Sequence, residues 1–170
     1  VKNYDIMKHN ALRRGKKFSL KYKNILLLKA ATHCAYTGKK FTPHGEYIST
    51  MERINNTIGY VPGNVIPVTL YANNIKGDMT LIQMIEMKDV LLRKINTIKS
   101  DLRQTTGKSF NSLAQNKFRR AAIIRHEKRI ETLTLIIEKF ANNQLTTEAE
   151  RYMTNWQKFW KKFKRSFHFA

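Results

Sequence analysis

Apolar positions along the chain follow a helical period at both ends and an extended one in a short middle stretch. Residues 4–14 suit a short helix with Ile6, Met7 and Leu12 as its apolar side, stopped by Gly15. Ser19 is a good N-cap for a second helix over about residues 20–32. There Leu20, Ile25, Leu26, Leu27 and Leu28 form the inner side, and Lys21, Lys23 and Lys29 the wet one. Residues 34–40 are turn-rich, and short extended pieces follow around Phe41–Thr42 and Tyr47–Ile54. The turn Gly59-Tyr60-Val61-Pro62-Gly63-Asn64 leads into Val65-Ile66-Pro67-Val68, where Pro67 predicts an edge strand or a very short one. From Thr69 the pattern is helical to Lys76, and Gly77 ends it.

The rest reads as helix. Leu81, Met84, Ile85, Leu91, Leu92, Ile95 and Ile98 make a stripe over about residues 80–99, and residues 101–109 form a polar loop. A long helix is expected from about 110 to 142, broken by Asn142-Asn143. Thr147-Glu148-Ala149-Glu150 fits a capping box for a last helix to about 167. The expected class is therefore α+β and mostly helical. Three segments are expected: basic N-terminal helices (1–32), a strand-containing core (33–80) and a basic helical extension (81–170).

Charge changes this picture most. Thirty-two Lys and Arg against 12 Asp and Glu leave +20 on 170 residues. So large an excess repels itself and is normally balanced by a polyanion, which points to nucleic acid, DNA ahead of RNA, with an anionic membrane surface as the other candidate. The excess is uneven. Residues 1–45 carry 11 basic and one acidic residue, whereas residues 46–100 carry six and five. A nearly neutral centre between basic arms suggests a chemical or structural core held on a polyanion by its surroundings. One cysteine, Cys34, excludes an intrachain disulfide and a multi-cysteine zinc site. No apolar run approaches the roughly 20 residues of a membrane span, and Val1–Asp5 lacks the apolar core of a signal peptide. The expected location is the cytoplasm, that of the host cell for a phage-encoded protein.

Four fragments between residues 34 and 80 carry candidate chemistry. They are Cys34-Ala35-Tyr36-Thr37-Gly38, Glu52-Arg53-Ile54, Gly59-Tyr60-Val61-Pro62-Gly63-Asn64-Val65 and Asn73-Asn74-Ile75-Lys76-Gly77-Asp78. In this order and spacing they resemble the HNH (ββα-metal) endonucleases of phage and bacterial type, over about residues 13–82. The resemblance implies two strands and a helix around one hard divalent cation, Mg2+ or Mn2+, and phosphodiester hydrolysis by an endonuclease or nickase. It implies Glu52 as the first acidic ligand, Asn64 as the structural Asn, Asn73 as the last ligand and Lys76 as a phosphate contact. This sequence departs from the pattern at the general base, where Arg53 stands in place of His. Arginine stays protonated near neutrality and takes no proton from water, though it can clamp a phosphate. His44 and His33 are the nearest alternative bases in sequence. The competing reading is an HNH-fold DNA- or RNA-binding protein, a phage or mobile-element regulator, that cuts weakly or not at all.

Each of these residues also has a plain reading. Glu52 and Arg53 fit a surface pair, Gly59–Asn64 a hairpin turn, Asn73 a helix surface, and Cys34 a small packing residue. Thr106-Gly107-Lys108-Ser109 lacks the upstream glycine of a phosphate loop, since Leu102 holds that place. On the long helix Arg119, Arg120, Arg125, Lys128 and Arg129 resemble a phosphate-tracking face, against a solvated face as the alternative. Trp156, Phe159, Trp160, Phe163 and Phe167 recur at helical spacing, with Lys158, Lys161, Lys162, Lys164 and Arg165 between them. They fit a core-closing helix, a nucleic-acid clamp, or a helix that docks on a partner or membrane surface.

Overall fold

A computed structural model describes residues 2–104 and 110–146. Eight elements follow in order. They are α1 (Lys2–Arg13), α2 (Tyr22–Ala30), a 3-10 turn (Gly45–Tyr47), β1 (Ser49–Arg53), β2 (Val65–Thr69), α3 (Leu70–Lys76), α4 (Leu81–Gln104) and α5 (Phe110–Ala141). The class is α+β, mostly helical, with one small antiparallel sheet. The described residues divide into two compact units, one of residues 2–74 with 139–146 and one of 75–104 with 110–138. The expected segments 1–32 and 33–80 are not separate bodies, because the N-terminal helices share a core with the sheet.

That core is Leu20, Ile25 and Leu28 around α2 with Val65 of β2, and Tyr4, Met7, Phe18, Met51 and Tyr60 pack against it. Here α1 departs from expectation. Its buried stripe is Tyr4, Met7 and Ala11, whereas Ile6 and Leu12 are 56% and 54% exposed. The spacing of three and four residues selects one face, and Ile6 and Leu12 fall off it. Helix α2 starts later than expected, because residues 17–19 are engaged elsewhere. Tyr60 N–H donates to Lys17 O (2.7 Å), and Ser19 N–H donates to Tyr60 O (2.9 Å). Ser19 is thus not the cap, and the Asn24 side chain accepts from Lys21 N–H instead (2.8 Å).

The sheet pairs Ser49 with Thr69 through to Arg53 with Val65. Directly opposed residues share a face and neighbours alternate. Thr50, Glu52, Ile66 and Val68 therefore lie on one face, and Met51, Arg53, Val65 and Pro67 on the other. Pro67 costs no ladder bond where both strands are edges, and its carbonyl accepts from Ala35 N–H (2.9 Å). Thr69 ends β2 and caps α3, its Oγ1 accepting from Ala72 N–H (3.2 Å). Gly77, at φ 50°, terminates that helix.

In the second unit, α4 buries Met84, Leu91 and Ile95, while Ile85 and Leu92 remain 41% and 42% exposed. The inner seam is therefore narrower than the sequence stripe. Lys99 pairs with Glu127 (3.2 Å) and Asp101 with Arg119 (3.9 Å). The pairs join the last turns of α4 to the first half and middle of α5, and the later α4 residue meets the earlier α5 residue, so the helices run antiparallel. Among the described residues no helix is long and apolar enough to cross a membrane.

Candidate functional site

The ends of β1 and the loop behind it are held by a few side chains. Asn64, 6% exposed, accepts Asn55 N–H on its Oδ1 (2.9 Å). Its Nδ2 donates to the carbonyls of Asn55 (3.0 Å), Ile58 (3.2 Å) and Gly59 (2.9 Å). One amide thus satisfies four backbone groups of the loop between β1 and β2. Gly59 fixes the next contact, since a Cβ there would lie 2.0 Å from Lys17 O. These two residues tie the loop to the segment that precedes α2.

With the loop fixed, β1 presents Glu52 and Thr50 on one face. Asn73 of α3 reaches that face and donates from Nδ2 to Thr50 Oγ1 (3.1 Å). Glu52 and Asn73 are thereby brought to the same side of the sheet, and the bond uses the amide nitrogen while leaving Asn73 Oδ1 available as a hard oxygen donor. Glu52 is 7% exposed and has partners of its own. A carboxylate and an amide oxygen suit a Mg2+-type ion, which keeps several of its waters and needs few protein ligands. Among the described residues no group of three or more His, Cys, Asp or Glu converges.

Tyr36 joins this site without having been singled out by sequence. It is 1% exposed, and its hydroxyl has no hydrogen-bond partner among the described residues. Burial, then the negative charges of Glu52 and Cys34, hold its pKa well above the usual phenol value. A phenol so placed is a proton donor at any ordinary pH and never a base. Cys34 beside it accepts Thr69 N–H on sulfur (3.3 Å), which adds a polar role to its packing. The only earlier signal for Tyr36 was its place in the Cys34–Gly38 fragment.

Other expected residues are placed elsewhere. Arg53 lies on the opposite face from Glu52. Its guanidinium carbon is 5.3 Å from the centroid of the Tyr60 ring, and Nη1 donates to Asn56 O (3.0 Å). Arg14 approaches the same ring at 6.0 Å. Arg53 is thus a packing cation rather than a clamp beside Glu52. Lys76 is 1% exposed, and its Nζ donates to Gly77 O (3.3 Å), so it is not a surface phosphate contact. His44 is exposed ahead of the 3-10 turn, eight residues before Glu52 in sequence. His33 is exposed, meets Thr32 Oγ1 through Nδ1 (2.8 Å) and lines a cleft with Ala30 and Lys139. Neither histidine forms a hydrogen bond or ion pair with Glu52.

The five cations of α5 do not form one face. At about 100° per residue, Arg125, Lys128 and Arg129 share a side, Arg120 lies on another, and Arg119 turns to Asp101. Lys161 and Lys162 lie outside the described residues, as does the whole aromatic C-terminal segment.

The comparisons add a relative and no activity. No family model matches the sequence. A stretch of 91 residues is 41% identical to an uncharacterized 29.0 kDa protein of the dda-modA intergenic region of Enterobacteria phage T4. The match covers 51% of this chain and 35% of the phage protein, so the chain spans about a third of that relative's length. No solved structure matches. The relative is a phage protein.

Proposed function

We propose that this chain is an HNH-like nucleic-acid-binding protein whose β1–β2–α3 segment holds one divalent cation through Glu52 and Asn73. The observation that carries the cation site is the Thr50–Asn73 hydrogen bond, which sets an amide oxygen on the Glu52 side of the sheet. The excess of 20 positive charges supports a polyanion as the partner. When bound, Mg2+ or Mn2+ supplies charge to a phosphate oxygen held against it. Glu52 and Asn73 would hold it, the buried Tyr36 hydroxyl is a proton-bearing group near Glu52, and Asn64 keeps the loop behind β1 in place. Binding of Mn2+ to the full chain, read by paramagnetic broadening, tests this. Glu52→Gln and Asn73→Ala should each weaken Mn2+ binding by about tenfold or more. Unchanged affinity in both variants contradicts the site.

A second reading, a DNA endonuclease or nickase, is favoured by the oxygen donors Glu52 and Asn73, but no base is assigned to it, since Arg53 lies on the opposite face and neither His33 nor His44 bonds to Glu52. Nicking of supercoiled plasmid in Mg2+ or Mn2+, abolished by Glu52→Ala, would support it. Intact plasmid in both metals would leave the binding reading alone.

A further inference from the structure

Charge on the α4–α5 hairpin is unbalanced at one place. On α5, Arg125, Arg129 and His126 lie within an arc of about 100°, with Arg129 between the other two. The antiparallel register set by Lys99–Glu127 and Asp101–Arg119 brings the middle of α4, with Lys94, to this part of α5. The acid next in sequence, Glu127, is engaged by Lys99. Two polar atoms of the cluster are out of water without a partner among the described residues, Nδ1 of His126 and Nε of Arg129. Buried polar atoms are normally satisfied, and exceptions call for a ligand or a function. Four nitrogen-bearing side chains with no acid among them present a site that an oxyanion would complete.

We propose that Lys94, Arg125, His126 and Arg129 form a phosphate-binding site on the α4–α5 hairpin, and that its ligand is the diester backbone of a nucleic acid. The site is separate from the Glu52–Asn73 pair and rests on the nucleic-acid reading given above. Arginine and lysine at this site supply fixed charge, and the arginine fork suits two phosphate oxygens at once. His126 supplies a charge that depends on pH. Burial, then Lys94, Arg129 and Arg125, hold its pKa below the ordinary value of 6.5, so the free chain carries it neutral near pH 7. Those three cations are the charged groups that act on it, from α4 and from α5 itself. A phosphate between them cancels their repulsion and favours the imidazolium. Protonation and backbone binding therefore reinforce one another, and the grip tightens as pH falls.

Imidazole NMR of the full chain tests this in three states: free, with inorganic phosphate, and with a short DNA duplex. Binding of a labelled duplex by wild type and His126→Gln is followed in parallel at about pH 7.5 and about pH 5.5. The His126 midpoint should rise with duplex, well beyond its response to inorganic phosphate at equal phosphate concentration. Wild type should tighten on acidification more than His126→Gln, by up to about tenfold per unit of midpoint shift. Duplex binding with an unmoved His126 midpoint overturns the site while leaving the nucleic-acid reading intact. An equal response to inorganic phosphate overturns the assignment to a backbone. Failure of the chain to bind duplex at all overturns the nucleic-acid reading itself.

Discussion

At the scale of single residues, the loop between β1 and β2 depends on two positions with different physics. Gly59 is required by space, because any side chain would overlap the Lys17 carbonyl. Asn64 is required by hydrogen bonding, because four backbone groups between 55 and 59 meet its amide. Gly59→Ala should destabilise the chain by about 3 kcal/mol, the upper range of overpacking, read as a lower denaturation midpoint. Asn64→Ala should cost about as much, through buried backbone groups left unpaired. Asn64→Asp should recover only part of that loss, since a carboxylate accepts from Asn55 N–H but cannot donate to three carbonyls. Both residues stood out in the sequence through the turn they share. Arg53 was legible as a departure, but its direction follows only from strand register, which puts it opposite Val65 and away from Glu52. Tyr36 was less legible, because what distinguishes it is a buried hydroxyl near a carboxylate 16 residues away in sequence.

At the scale of elements, helices were read well where a glycine or asparagine ends them and less well where tertiary contacts decide. Gly15, Gly77 and Asn143 each adopt positive φ at or near a helix end, as residues of those types do at low cost. The start of α2 moved because Tyr60, some forty residues on, takes the backbone groups of residues 17–19. The inner stripe of α4 narrowed because a helix pair buries a seam of three-and-four spacing, so Ile85 and Leu92 fall outside it. The helical hairpin also predicts a pH effect on stability. His126 has a folded pKa below its unfolded one, so the unfolded chain binds the extra proton between the two values. Its contribution to stability is fully present above about pH 6.5 and is lost as pH falls through the folded pKa. Thermal midpoints of wild type and His126→Gln should therefore fall apart on acidification, with wild type losing more. Parallel curves from neutral pH down would contradict that placement.

At the scale of the whole molecule, charge is the dominant property, and it is the one most fully legible in sequence. Its distribution is refined by the structure: Arg53 and Lys76 are buried, Arg119 is turned to Asp101, and Arg125, Lys128 and Arg129 share one side of α5. The excess of 20 charges remains, and it demands counterions that a nucleic acid would displace. The most direct measurement is the affinity of the full chain for a short duplex across a salt series at fixed pH. With about five or more phosphates neutralised, log affinity should fall against log salt with a slope of about −4 or steeper. A slope near zero, or no duplex binding at low salt, would contradict the account.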